Sequence, residues 1–149
     1  MLKKSSFQSR LEMVTIKLYF ITQNENFGTS MVLSPRIPKS IDFENNEDNK
    51  TARICVCENV VSCIKSVLPN IYQGTHINIY SCDVNKEEVY KPTSRQVPDV
   101  DITHELWLLK NTKFTLEQKI WFSQEKTIQD IFNDINYLEC KSQVNQVFL

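Results

Sequence analysis

Residues 53–69, RICVCENVVSCIKSVLP, change their period within one short stretch. Arg53 to Val56 is a compact apolar run that reads as a short buried strand. Glu58-Asn59 then opens a second pattern, in which Val60, Val61, Ile64, Val67 and Leu68 recur at helical spacing until Pro69 stops it. A strand feeding directly into a helix belongs to a mixed fold. The remaining elements decide which one.

Upstream, Val14 to Ile21 (VTIKLYFI) sets Val14, Ile16, Leu18 and Phe20 against Thr15, Lys17 and Tyr19, the alternation of a strand with one core face. Gln23 to Thr29 is a turn containing Gly28. Downstream, Thr75 to Cys82 (THINIYSC) alternates again, and Glu105 to Leu109 (ELWLL) and Lys119 to Phe122 (KIWF) read as further strands. Thr127 is placed to cap a last helix with Ile128, Ile131, Phe132, Ile135 and Leu138 on one stripe. Strands and helices do not alternate strictly. The prediction is an α+β domain with a mixed, mostly antiparallel sheet and two helices. It spans residues 13–123, after a loose lead-in over 1–12 and before a helical extension over 124–149.

Bulk composition narrows the function. The chain has 149 residues and a net charge of −1, which gives no electrostatic footprint for nucleic acid or a membrane surface. No apolar run reaches the ~18 residues of a membrane span, and Glu12 and Lys17 interrupt any signal-peptide core. Five cysteines without such a signal read as reduced core thiols of a cytoplasmic protein. Cys55-Val-Cys57 lacks the spacing of a zinc knuckle, so no metal site is expected.

Glycine is the sharpest count. Gly28 and Gly74 are the only two, which excludes the glycine-rich phosphate loops of the P-loop and dinucleotide-binding turns and also the GxSxG elbow. A nucleotide bound here is held by side chains. Arg36, stiffened between Pro35 and Pro38, and Arg53 suit carboxylate or phosphate recognition. Their structural alternative is an internal ion pair with Glu47, Asp48 or Glu105. Glu105 stands at the mouth of an apolar strand, where a carboxylate must be paired, protonated or solvated. His76 and His104 read as structural, and Asp99 and Asp101 as turn acids.

The order LYFIT, LSPRIP, EDNKTARIC and YKPT…VPDVDITHELW, over about residues 16–122, resembles a set of small uncharacterised proteins of bacteria and their phages. More distantly the layout is similar to the ADP-ribosyltransferase superfamily. That resemblance implies a cleft for NAD or an ADP-ribose-like nucleotide. It makes Glu105 the ribose-orienting or catalytic carboxylate, Arg36 and Arg53 the anion contacts, and Tyr80 or Tyr90 the stacking rings. Tyr19 and Phe20 fall at the first motif, where the resemblance calls for histidine after Leu-Tyr. Phe20 cannot hydrogen-bond a ribose, and Tyr19 points to the opposite face of its strand. This departure supports the alternative of a non-enzymatic protein that grips and inhibits a host partner, with the acidic segment 42–50 presenting charge to it.

Overall fold

The computed structural model describes residues 14–39, 46–67 and 73–122, together with positions 130 and 133. It is an α+β fold built from two antiparallel sheets and two helices. The strands are β1 (Thr15–Thr22), β2 (Ser30–Leu33), β3 (Ile54–Val56), β4 (Thr75–Asn85), β5 (Val89–Tyr90), β6 (Leu106–Leu108) and β7 (Thr112–Phe122). The helices are α1 (Val60–Val67) and the single turn α2 (Val100–Thr103). The expected lead-in, and the helix expected after Thr127, lie outside the described residues, except that positions 130 and 133 are helical and exposed.

The larger sheet runs β1-β4-β7-β2 and the smaller runs β3-β6-β5. Two isolated bridges join them at both ends of β3. Arg53 pairs with Arg36, just past β2, and Cys57 pairs with Tyr19 in β1. Hydrogen bonding therefore follows a closed circuit through β1, β4, β7, β2 and β3. This leaves few free strand edges exposed to association with other chains.

Each face of the larger sheet has its own cover. Leu18, Tyr80, Cys82 and Phe114 face Ile54, Val56, Leu106 and Leu108 of the smaller sheet in one apolar cluster. Ile21, Ile77, Ile79 and Phe122 pack against Cys63 and Ile64 of α1 in the other. The predicted one-sided core of β1 is thus two-sided, because a strand covered on both faces buries both sets of side chains. In β7 a bulge opposite Ile79 and Tyr80 shifts the register by one residue. A one-residue shift exchanges faces. Phe114 and Leu116 accordingly serve the first cluster and Ile120 and Phe122 the second.

Gly28 marks the turn after β1 at φ +70°, a conformation that side chains with a Cβ rarely adopt. Its carbonyl accepts a 2.5 Å hydrogen bond from the Tyr80 hydroxyl, tying the turn to the middle of β4.

Candidate functional site

The site grows from the pairing of the smaller sheet. Register places Cys55, Trp107 and Tyr90 side by side across β3, β6 and β5. Side chains two apart on a strand share a face. Arg53 and Glu105 therefore join that row from positions just before β3 and β6.

Arg53 is only 2% exposed, and its environment explains how a guanidinium tolerates that. Nη1 donates to the carbonyls of Asp48 at 2.8 Å and Thr51 at 3.0 Å. The Glu47 and Asp48 carboxylates lie 3.6 and 3.5 Å away. Its Cζ sits 4.2 Å from the centre of the Trp107 ring, with Tyr90 stacked on the same indole at 5.4 Å. Fully buried charge survives when paired and hydrogen-bonded in this way. Of the structural partners expected for Arg53, Glu47 and Asp48 are the ones it uses. In the described part of the acidic segment, these two carboxylates serve the interior. Burial pushes the Asp48 carboxyl up, but hydrogen bonds from Thr51 and Lys50 outweigh it and hold the group below its ordinary value.

Glu105 takes a different partner. The Trp107 indole N–H donates to its Oε2 at 2.7 Å. Burial raises the Glu105 carboxyl above its ordinary range, against the pull of that hydrogen bond and of the Arg53 charge. Burial beside a cleft thus disfavours the charged form of Glu105. Neighbouring Cys55 is pushed up to about 12, by burial first and then by Glu105, so its thiol stays protonated.

Three cavities follow this row. The first, about 540 Å³, is lined by Phe20, Phe27, Leu33, Arg36, Arg53 and Cys55 among others. The second, about 140 Å³, shares Phe20 and Cys55 with it and reaches Glu105. The third, about 410 Å³, shares Glu105 and continues past Glu58, Lys91, Asp101 and His104. They share wall residues in pairs and so form a row, a segmented groove, from the exposed Arg36 to Glu105 and beyond.

Of the residues singled out in the sequence, Phe20, Arg36, Arg53 and Glu105 line this groove. Three do not. Tyr80 is 1% exposed, its ring in the core and its hydroxyl taken by Gly28, so it offers no stacking face. Tyr90 is spent on Trp107 and on a 3.0 Å hydrogen bond to Gln96. Tyr19 packs against the α1 side of the larger sheet. Sequence reasoning missed Trp107, which organises both Arg53 and Glu105, and Lys39 at the groove mouth. Trp107 had one available signal, its position two residues after Glu105 on the same strand face.

Among the described residues, no helix is long and apolar enough to cross a membrane, and no group of three or more His, Cys, Asp or Glu is placed to hold a metal ion. Comparison with protein-family models, curated proteins and solved structures finds no match to this chain.

Proposed function

We propose that the groove binds a nucleotide of the NAD or ADP-ribose type. Arg36 and Lys39 contact its phosphates at the exposed end, and Glu105 engages the ribose at the other. The observation that carries this reading is the row of adjoining cavities from Arg36 past Phe20 and Cys55 to Glu105. Two of the cavities, of about 540 and 410 Å³, fall in the range of small-molecule sites. Arg53 is not a phosphate contact here, because Glu47 and Asp48 already compensate its charge. In an ADP-ribosyltransferase-like reaction it is the ionised Glu105 carboxylate that stabilises the oxocarbenium-like sugar as the nicotinamide bond breaks, and burial moves its ionisation to higher pH.

Thermal-shift titration with NAD and ADP-ribose tests it. Saturable stabilisation is expected, following the logarithm of ligand concentration over Kd. It should be lost in Arg36→Ala and weakened in Glu105→Gln. No shift at millimolar ligand would refute the reading for these ligands.

One observation favours a second reading, a binding protein that inhibits a host partner. The Arg53 pairs close the wall of the groove internally, as a scaffold working through its surface would. Under that reading no nucleotide stabilises the fold, and a specific host protein co-purifies with the chain.

A further inference from the structure

Cys57 and Cys63 converge on one carbonyl. The Cys57 amide donates to the Tyr19 oxygen at 3.1 Å, closing the end of β3 onto β1. The Cys63 thiol, from the first turn of α1, donates to the same oxygen, also at 3.1 Å. Asn59 holds the short connection between them. Its Oδ1 accepts from the Ser62 amide at 2.8 Å, and its carbonyl from the Cys63 amide at 3.2 Å. The two thiols are hydrogen-bonded to each other. Both line the 140 Å³ cavity, together with Cys55 and Glu105.

Cys57 has a further contact that reaches the groove. Its thiol donates to the Thr103 carbonyl at 3.6 Å. Thr103 is buried, and its own hydroxyl finds no partner among the described residues. It ends α2, two residues before Glu105. The Cys57 S–H therefore ties the end of β3 to the segment that carries Glu105. A sulfur without its hydrogen cannot make that bond.

We propose that Cys57 and Cys63 are a redox-active pair that closes to a disulfide when a peroxide enters the 140 Å³ cavity, and that closure unties the Thr103 carbonyl beside Glu105. One sulfur, as the thiolate, attacks a peroxide oxygen. The O–O bond breaks, leaving a sulfenic acid and a hydroxide that takes up a proton. The second sulfur then displaces the sulfenic oxygen as water, and the S–S bond forms. With hydrogen peroxide, two thiols and one peroxide give one disulfide and two waters; the sulfurs are oxidised and the peroxide oxygens reduced. The cavity is several times the ~30 Å³ share of a water molecule, so a small peroxide fits. The Cys63 thiol is pushed well above its ordinary value, first by its hydrogen bond to Cys57 and then by burial. Only the thiolate attacks, so the pair passes over brief exposure and responds to sustained oxidant. This device goes beyond the nucleotide reading and stands without it.

Oxidation of the full chain with excess hydrogen peroxide, then alkylation of the remaining thiols and proteolysis after Glu58, reads the bond directly. Cleavage at Glu58 places Cys57 and Cys63 in different peptides. The expected product is those two peptides joined, lighter by two hydrogens, and separated again by dithiothreitol. Cys55→Ser should still form it, and Cys57→Ser and Cys63→Ser should lose it. In the ¹H–¹⁵N spectrum the Trp107 indole N–H, which donates to Glu105, should shift on oxidation and return on reduction, while the exposed Trp121 indole stays in place. Thiols that remain fully alkylatable, single cysteines oxidised without a link, or a link lost in Cys55→Ser overturn the pair. If a serine variant at Cys57 or Cys63 does not fold, the wild-type peptide map and Cys55→Ser still decide. A link that forms while the Trp107 resonance stays unmoved overturns the tie to Glu105.

Discussion

Arg53→Ala should be the most damaging single substitution in the smaller sheet. The side chain is only 1% exposed, and it holds the segment 46–51 in place through two carbonyls and two carboxylates. Removing one partner of a buried ion pair costs ~3–5 kcal/mol. The Glu47 and Asp48 side chains are 20% and 14% exposed, so water recovers part of that loss and the ion-pair share falls near the lower bound. Loss of the contact with Trp107 adds ~1–2 kcal/mol for a desolvated cation over an indole. The sum is roughly 4 kcal/mol, or a fall of about 10 °C in Tm for a domain of this size. Urea unfolding followed by circular dichroism gives the free energy directly. The reasoning also predicts coupling. With Glu47→Gln and Asp48→Asn already present, the added cost of Arg53→Ala should fall to the ~1–2 kcal/mol of the Trp107 contact, since the ion-pair contribution is gone. A loss below ~1 kcal/mol in the single variant, the value of an exposed pair, would refute the account of Arg53 as an internally compensated charge.

Other consequences can be checked independently. Tyr80→Phe should destabilise by about 1–2 kcal/mol, by leaving the Gly28 carbonyl unpaired, while leaving ligand binding unchanged; altered nucleotide affinity would restore Tyr80 to the site. Glu105 has a folded-state pKa above its ordinary value, so the folded chain holds more protons than the unfolded one as pH rises past 4.5. Stability contributed by the protonated group is complete in acid and is lost as pH climbs through the folded pKa. Glu105→Gln should therefore raise Tm relative to wild type at pH 7, with the advantage shrinking towards zero near pH 4; a pH-independent difference would contradict the burial argument. Cys55, with its thiol pushed up to about 12, should react with iodoacetamide at pH 7.5 at least ~10-fold more slowly in the folded chain than in urea, because only the thiolate attacks. Rapid native alkylation at that position would show a solvated thiol.

Much of the architecture is legible in the sequence, for a physical reason. β3, β4 and β6 announce themselves because most of their residues are buried, and β1 and α1 because their apolar residues are spaced as a strand and a helix require. β7 does not. Only Phe114 and Phe122 in its eleven residues are buried, and the bulge at Glu117 breaks the alternation midway, so only its last four residues read as a strand. β2 is four residues long and ends two residues before Pro35, whose ring argues for a loop. α2 is one turn following Pro98-Asp99, too short to show a period. At the site, Glu105, Arg36 and the Glu47 and Asp48 pairing of Arg53 are foreseeable from local chemistry. The Arg53–Trp107–Tyr90 stack is not, since it depends on the register of β3 against β6 and β5, which is a long-range fact. Tyr80 misleads for the same reason. Alternation places it on a strand face, but only the second sheet shows that face to be the core.

The groove itself is the central claim, and an ¹H–¹⁵N spectrum recorded during titration with ADP-ribose tests it most directly. The account predicts saturable shifts at Phe20, Arg36, Cys55 and Glu105, which line the groove, with little change at Tyr19 and His76, which line none of its three cavities. A titration that leaves the four groove positions unmoved, or shifts only residues away from them, would contradict it.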